Sequence, residues 1–112
     1  MKRVPVHIVT ATERAQVSAL IARCVAERAD WAGLELLTCP CCTGRAELQV
    51  KLVRLLRERR PARVFIGLVD PSHQTGLARV LIDWPLARYV VQGRAVRLPE
   101  DAALVPGALE EG

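Results

Sequence analysis

The opening of the chain has no apolar run long enough for a secretion signal or a membrane span. After Met1-Lys2-Arg3 only Val4–Val9 is apolar. Aromatic residues make up just 4% of the chain. None of them interleaves the basic stretch Arg45–Arg63 and no nucleic-acid motif accompanies it, which argues against a nucleic-acid surface. Internal repeats and low-complexity linkers are missing as well. These absences predict a cytoplasmic protein with neither membrane nor nucleic-acid partners.

What is present describes one globular domain. The chain has 112 residues, 51% hydrophobic and 25% charged, enough for a core without disulfides. The formal net charge is +4, and arginine far outnumbers lysine. Positive charge concentrates in Arg45, Lys51, Arg54, Arg57, Arg59, Arg60 and Arg63, against Glu47 and Glu58. That pattern reads as a solvated helix face. Residues 1–98 read as the domain and 99–112 as an acidic, mobile tail.

Val4–Val9 is β-branched and reads as a buried first strand, with His7 satisfied inside it or at its edge. Thr10 with Glu13 three residues later gives a capping-box pattern. The helix it introduces runs to about Ala29, with Val17, Leu20, Ile21, Cys24 and Val25 on one face. Cys24 lies in that stripe and reads as a core thiol. Asp30-Trp31-Ala32-Gly33 reads as a turn, Leu34–Leu37 as a second strand, and Ala46–Arg59 as a helix stopped by Arg60-Pro61. Leu48, Leu52, Leu55 and Leu56 form its inward face. Val64–Val69 is nearly continuous in apolar residues, as a parallel strand buried on both faces should be. After it come a short helix, Gln74–Ile82, and a fourth strand, Tyr89–Leu98, with Gln92-Gly93 as a bulge or turn within the strand. Trp31 and Trp84 read as lids on the core, and Asp70 as a cap for the helix or turn after it. The alternation predicts an α/β fold: a mostly parallel sheet of about four strands with helices on its faces.

The chemistry concentrates in Thr38-Cys39-Pro40-Cys41-Cys42-Thr43-Gly44, between the second strand and its helix. Clustered cysteines in a reducing compartment suggest metal or redox chemistry more than structural disulfides. Thiolates suit zinc or copper(I). Three cysteines within four residues do not readily all grip one ion. Cys39 with Cys41, or Cys39 with Cys42, would bind with good geometry. The rest of the shell would come from Cys42, His73, water or a second copy of the chain. A helix N-terminus and Arg45 lower thiol pKa, favouring metal binding and redox reactivity together. His73 comes after the third strand and would open at the same sheet edge as the cysteines.

Cys39-Pro40-Cys41-Cys42 with Arg45 and Glu47-Leu48 resembles the Cys-x-Cys-Cys segment of CobW-type metal-handling GTPases. Gly67-Leu68-Val69-Asp70-Pro71 is similar to the same family's Gly-Leu-x-Asp-Pro. The resemblance implies a P-loop NTPase-like half and a role in metal handling. It fails at the P-loop, G-x-x-x-x-G-K-[ST], which falls on Ala11–Ser18. There Ala11 and Gln16 replace the glycines, Val17 replaces the lysine, and only Ser18 keeps its type. No acidic residue or threonine precedes Gly67, since Phe65-Ile66 runs straight into it. The expectation is a truncated pseudo-GTPase with no nucleotide and no catalytic residues. It would bind zinc or another thiophilic metal through Cys39, Cys41 and Cys42, with His73 able to complete the shell, and would bind a larger protein partner or associate with itself. Two other readings stand beside it: a thioredoxin-like thiol protein using Cys39 and Cys42, and a metal-free interaction module.

Overall fold

The computed structural model describes residues 3–36, 44–69, 74–83 and 86–98. Strand β1 (Val4–Ala11) leads to helix α1 (Arg14–Glu27), and β2 (Trp31–Glu35) to α2 (Gly44–Arg59). Strand β3 (Arg63–Val69) then leads to α3 (Gln74–Ile82), a 3₁₀ turn over Leu86–Arg88, and two short strands, β4 (Val90–Gln92) and β5 (Val96–Arg97). The protein is an α/β domain whose described residues form a five-stranded sheet in the order β2-β3-β1-β4, β5 pairing with β1. Every strand pairing among the described residues is parallel.

The topology divides the core. The step from β1 to β2 crosses β3 in one direction, and the later crossovers run back the other way. Crossovers of a single hand therefore put α1 on one face and α2 and α3 on the other. The core keeps to that division. Val6, Ile8, Val64 and Ile66 meet Leu48, Leu52, Leu77 and Leu81 on the α2/α3 face. Val9, Ala11, Phe65 and Trp31 meet Val17, Leu20, Ile21 and Cys24 on the α1 face.

Several local expectations give way to this tertiary arrangement. Thr10 does not cap α1. It stays in β1, paired with Leu68 of β3 and Arg97 of β5, so strand pairing outweighs the capping box. Glu13 occupies the N-cap position with no side-chain cap hydrogen bond. The second strand lies earlier than its apolar pattern suggests. Trp31, Ala32 and Gly33, read as a turn, are strand residues aligned with Arg63, Val64 and Phe65. Trp31 belongs to the core, its ring tilted against Phe65 at 5.3 Å. The fourth strand is divided, with Gly93, Arg94 and Ala95 between β4 and β5. Leu37, Trp84 and residues 99–112 lie outside the described residues.

Helix α1 sits unusually close to the sheet. A Cβ built on Gly33 would lie 2.3 Å from Ile21 Cγ2. One built on Gly67 would lie 2.4 Å from Val17 Cγ1 and 2.7 Å from Ile21 Cδ1. Both glycines therefore exist for close approach, and Ile21 spans them. Gly67→Ala should cost about 1–3 kcal/mol in urea unfolding through overpacking. Because Ile21 Cδ1 is one of the crowded atoms, the cost should shrink in an Ile21→Val background. Strictly additive effects of the two changes would speak against this packing.

Candidate functional site at the carboxyl edge of the sheet

Strands β2 and β3 lie side by side and run the same way, with Glu35 aligned to Gly67. Leu36 N–H still donates to Gly67 O at 3.0 Å. The chain leaves β2 after Glu35, with α2 starting at Gly44, and leaves β3 after Val69, with α3 starting at Gln74. Both connections thus start from neighbouring strands at one sheet edge, the usual place for a site in an open parallel sheet. Cys39, Cys41 and Cys42 belong to the first and Asp70 and His73 to the second. All five lie outside the described residues.

The described residues around these exits carry several polar groups. Thr10 is fully buried near the end of β1, and its Oγ1 has no hydrogen-bond partner among the described residues. Glu47, in the first turn of α2, lies 3.6 Å from Lys51 Nζ. A carboxylate there is favoured by the helix dipole. The Arg45 guanidinium pairs with Asp83 at 3.5 Å, both half-exposed. Arg45 therefore spends part of its charge on Asp83. Arg97 Nη2 donates to Gln74 Oε1 at 3.3 Å across the start of α3.

Cys24 is on the other side of the sheet, buried among Val17, Ile21 and Trp31 as expected of a core thiol. Burial pushes its thiol pKa up, with Arg23 opposing and Glu27 reinforcing the shift. That keeps it protonated and a poor ligand or nucleophile. Among the described residues no three His, Cys, Asp or Glu side chains are grouped to hold a metal ion. None of their helices is long and apolar enough to cross a membrane.

The segment aligned with the P-loop is strand and helix. Thr12 and Glu13 alone separate β1 from α1. Gln16, Val17 and Ser18 are already helical, and Val17 is packed against Gly67. Ser18 Oγ donates to Glu35 Oε1 at 2.7 Å, tying α1 to the end of β2. Composition gave no hint of this pair, which depends on the register of β2.

A second polar cluster surrounds His7. Its side chain is fully buried in β1 and stacked on Phe65 at 5.2 Å. Nδ1 lies 2.8 Å from Arg94 O, and Nε2 lies 2.9 Å from Arg63 Nη1. A carbonyl can only accept and a guanidinium can only donate, so the Nδ1–H tautomer of neutral histidine satisfies both. The imidazole stands beside Gly93, where a Cβ would lie 2.6 Å from Cε1. His7 thus fills the gap between β4 and β5, a satisfied interior residue rather than a ligand. Its partners were not legible, because Arg63 and Arg94 approach it only through the sheet.

No family model matches this chain, and no curated protein or solved structure matches it either.

Burial lowers the pKa of His7, and the nearby Arg63 lowers it further, while the bond to Arg94 O opposes them. The folded value lies below the ordinary 6.5. Between that folded value and 6.5 the unfolded chain binds more protons than the folded one. Stability from this site is therefore full above 6.5 and falls as pH drops toward the folded value. The slope for one proton is at most about 1.4 kcal/mol per pH unit. Urea midpoints measured from neutral pH down to mildly acidic pH should fall more steeply for the wild type than for His7→Phe. Parallel curves would remove His7 from the titration.

Proposed function

We propose that this is a non-enzymatic thiolate metal-binding protein for zinc or a similarly thiophilic ion. Cys39, Cys41 and Cys42 are the thiolate ligands, and His73 can complete the shell. One observation carries the reading: β2 and β3 are adjacent and parallel, so the cysteine and histidine connections leave from neighbouring strand ends. Helix α2 begins at Gly44, two residues after Cys42, and a helix N-terminus near the cysteines would favour thiolate over thiol.

The resemblance to CobW-type GTPases supports metal handling without nucleotide. A P-loop needs glycine-lined backbone amides and a lysine around the phosphates. Here Val17 faces the core and Ser18 is bonded to Glu35. Cytoplasmic residence, a larger protein partner and the absence of catalysis belong to the same reading. The all-parallel pairing weighs against the thioredoxin-like alternative, which calls for antiparallel strands.

The test is metal content and zinc affinity of anaerobically purified protein, beside a Cys39/Cys41/Cys42→Ser triple variant. Stoichiometric zinc should be found in the wild type and lost in the variant. His73→Ala should weaken binding by at least the roughly 10–100-fold that outer-shell partners cost. Metal-free protein with a reversible Cys39–Cys42 disulfide would replace this reading with a redox one. Metal-free protein with inert thiols would leave an interaction module. Micromolar or tighter GTP binding with magnesium would overturn the nucleotide-free part.

A further inference from the structure

Strand β2 forms one edge of the sheet, with β3 on its only paired side among the described residues. The direction of its unused hydrogen bonds is set by one contact. Leu36 N–H donates to Gly67 O, so the alternating residues Ala32 and Leu34 also turn toward β3. Gly33 and Glu35 therefore direct their backbone groups to the open edge. Gly33 is exposed. A groove of about 300 Å³ runs along this edge, lined by Gly33 and Leu34, by Ser18, Ala22 and Val25 of α1, and by Arg59.

We infer that the β2 edge is a homodimer surface on which a second copy of this chain pairs antiparallel, with the two-fold axis at Gly33. The hydrogen-bonding parity fits this register. Gly33 facing the partner's Gly33 forms the kind of antiparallel pair that exchanges two N–H···O=C bonds. The charges fit it too. At the start of β2 the Arg28 guanidinium lies 5.7 Å from the centroid of the Trp31 ring, and Asp30 comes two positions after Arg28. Arg59 belongs to the same end, since Ala62, three residues on, donates its N–H to Asp30 O at 2.7 Å. At the other end of β2 stands Glu35. Antiparallel pairing about Gly33 brings Trp31, and with it Arg28, beside the partner's Glu35. Parallel pairing would set like charges together.

Helix packing is compatible with the same axis. Helix α1 packs over β3 and over its neighbours β1 and β2 on either side. Two α1 helices related by the axis would then lie on the same face about 14 Å apart, clear of each other. The axis also sends the carboxyl ends of the two β2 strands in opposite directions. The two cysteine segments therefore leave from opposite ends of the joined strands, and this interface does not make one thiol cluster out of two. The dimer does not depend on the metal reading, and the two can fail separately.

The test uses charge reversal and mixing, read by light scattering after size exclusion at tens of micromolar. Wild type should run at about twice the chain mass of 12.3 kDa. Arg28→Glu and Glu35→Arg should each dissociate about tenfold more readily, as repulsion replaces two attractive contacts per dimer. An equimolar mixture of the two variants should recover the dimer, because each then supplies the charge the other lacks. Should Glu35→Arg fail to fold, Glu35→Gln keeps an acceptor for Ser18 and should still weaken the dimer severalfold. A monomeric wild type would overturn the proposal and leave the edge for a strand of another protein. Variants as dimeric as wild type, or a mixture no tighter than the variants alone, would overturn it as well.

Discussion

Ile21 lies across two glycines, and much of the structure depends on that contact. Gly33 on β2 and Gly67 on β3 have no Cβ, so α1 comes down onto the sheet until its side chains touch the strand backbone. Burying a large aliphatic side chain is worth about 1.5–3 kcal/mol, and α1 buries Val17, Leu20 and Ile21 this way. Close approach also fixes the start of the helix. With α1 pressed against β3, β1 reaches α1 across Thr12 and Glu13 alone. Val17 then turns into the core instead of toward the edge, and Ser18 reaches Glu35. With neither glycine nor lysine at the P-loop positions, this stretch forms a helix that packs.

The opposite margin of the sheet is organised by a polar contact. A continuous strand beside β1 would direct the backbone of Gly93–Ala95 into ladder bonds. Instead β4 pairs with the start of β1 and β5 with its end. Gly93 N–H still donates to Val6 O at 2.8 Å, and Arg94 O is met by the ring of His7. An imidazole therefore replaces one backbone partner of the interrupted ladder. Gly93 provides the room, since any side chain there would run into the ring. The cost of burying an imidazole is offset because both its nitrogens are bonded. The ring also carries Arg63 on its far nitrogen, which ties the start of β3 to β1.

The architecture was legible in the sequence wherever a long apolar pattern stood alone. Val64–Val69 reads as a buried central parallel strand and is one. The stripe through Val17, Leu20, Ile21 and Cys24 is the buried face of α1. Reading failed where a local signal competed with a distant partner. Thr10 and Glu13 spell a cap, yet Thr10 pairs with Leu68 and Arg97, far away in sequence. Asp30 to Gly33 spells a turn, yet Trp31 finds Phe65 and Gly33 finds Ile21. In the candidate site, a parallel sheet implied that the second and third strands end at the same edge; that they lie side by side came only with the structure. The Ser18–Glu35 and Arg45–Asp83 contacts were not, because neither pair is close in sequence.

The thiols illustrate how position decides chemistry. Cys24 and the three cysteines of the Cys39–Cys42 stretch share a side chain and little else. Cys24 sits in an apolar layer that raises its pKa, between an arginine and a glutamate whose effects oppose each other. The other three stand in sequence between the end of an edge strand and the first turn of a helix. A thiol in the first setting is held as a neutral core group. In the second, peptide dipoles favour the thiolate, the form that binds soft metals and attacks disulfides. Arg45 would add to that effect, but its pairing with Asp83 draws part of its charge away. Under the proposed role the helix terminus would act on the segment as a unit, which is why the role is assigned to all three cysteines rather than to one arginine-activated thiol.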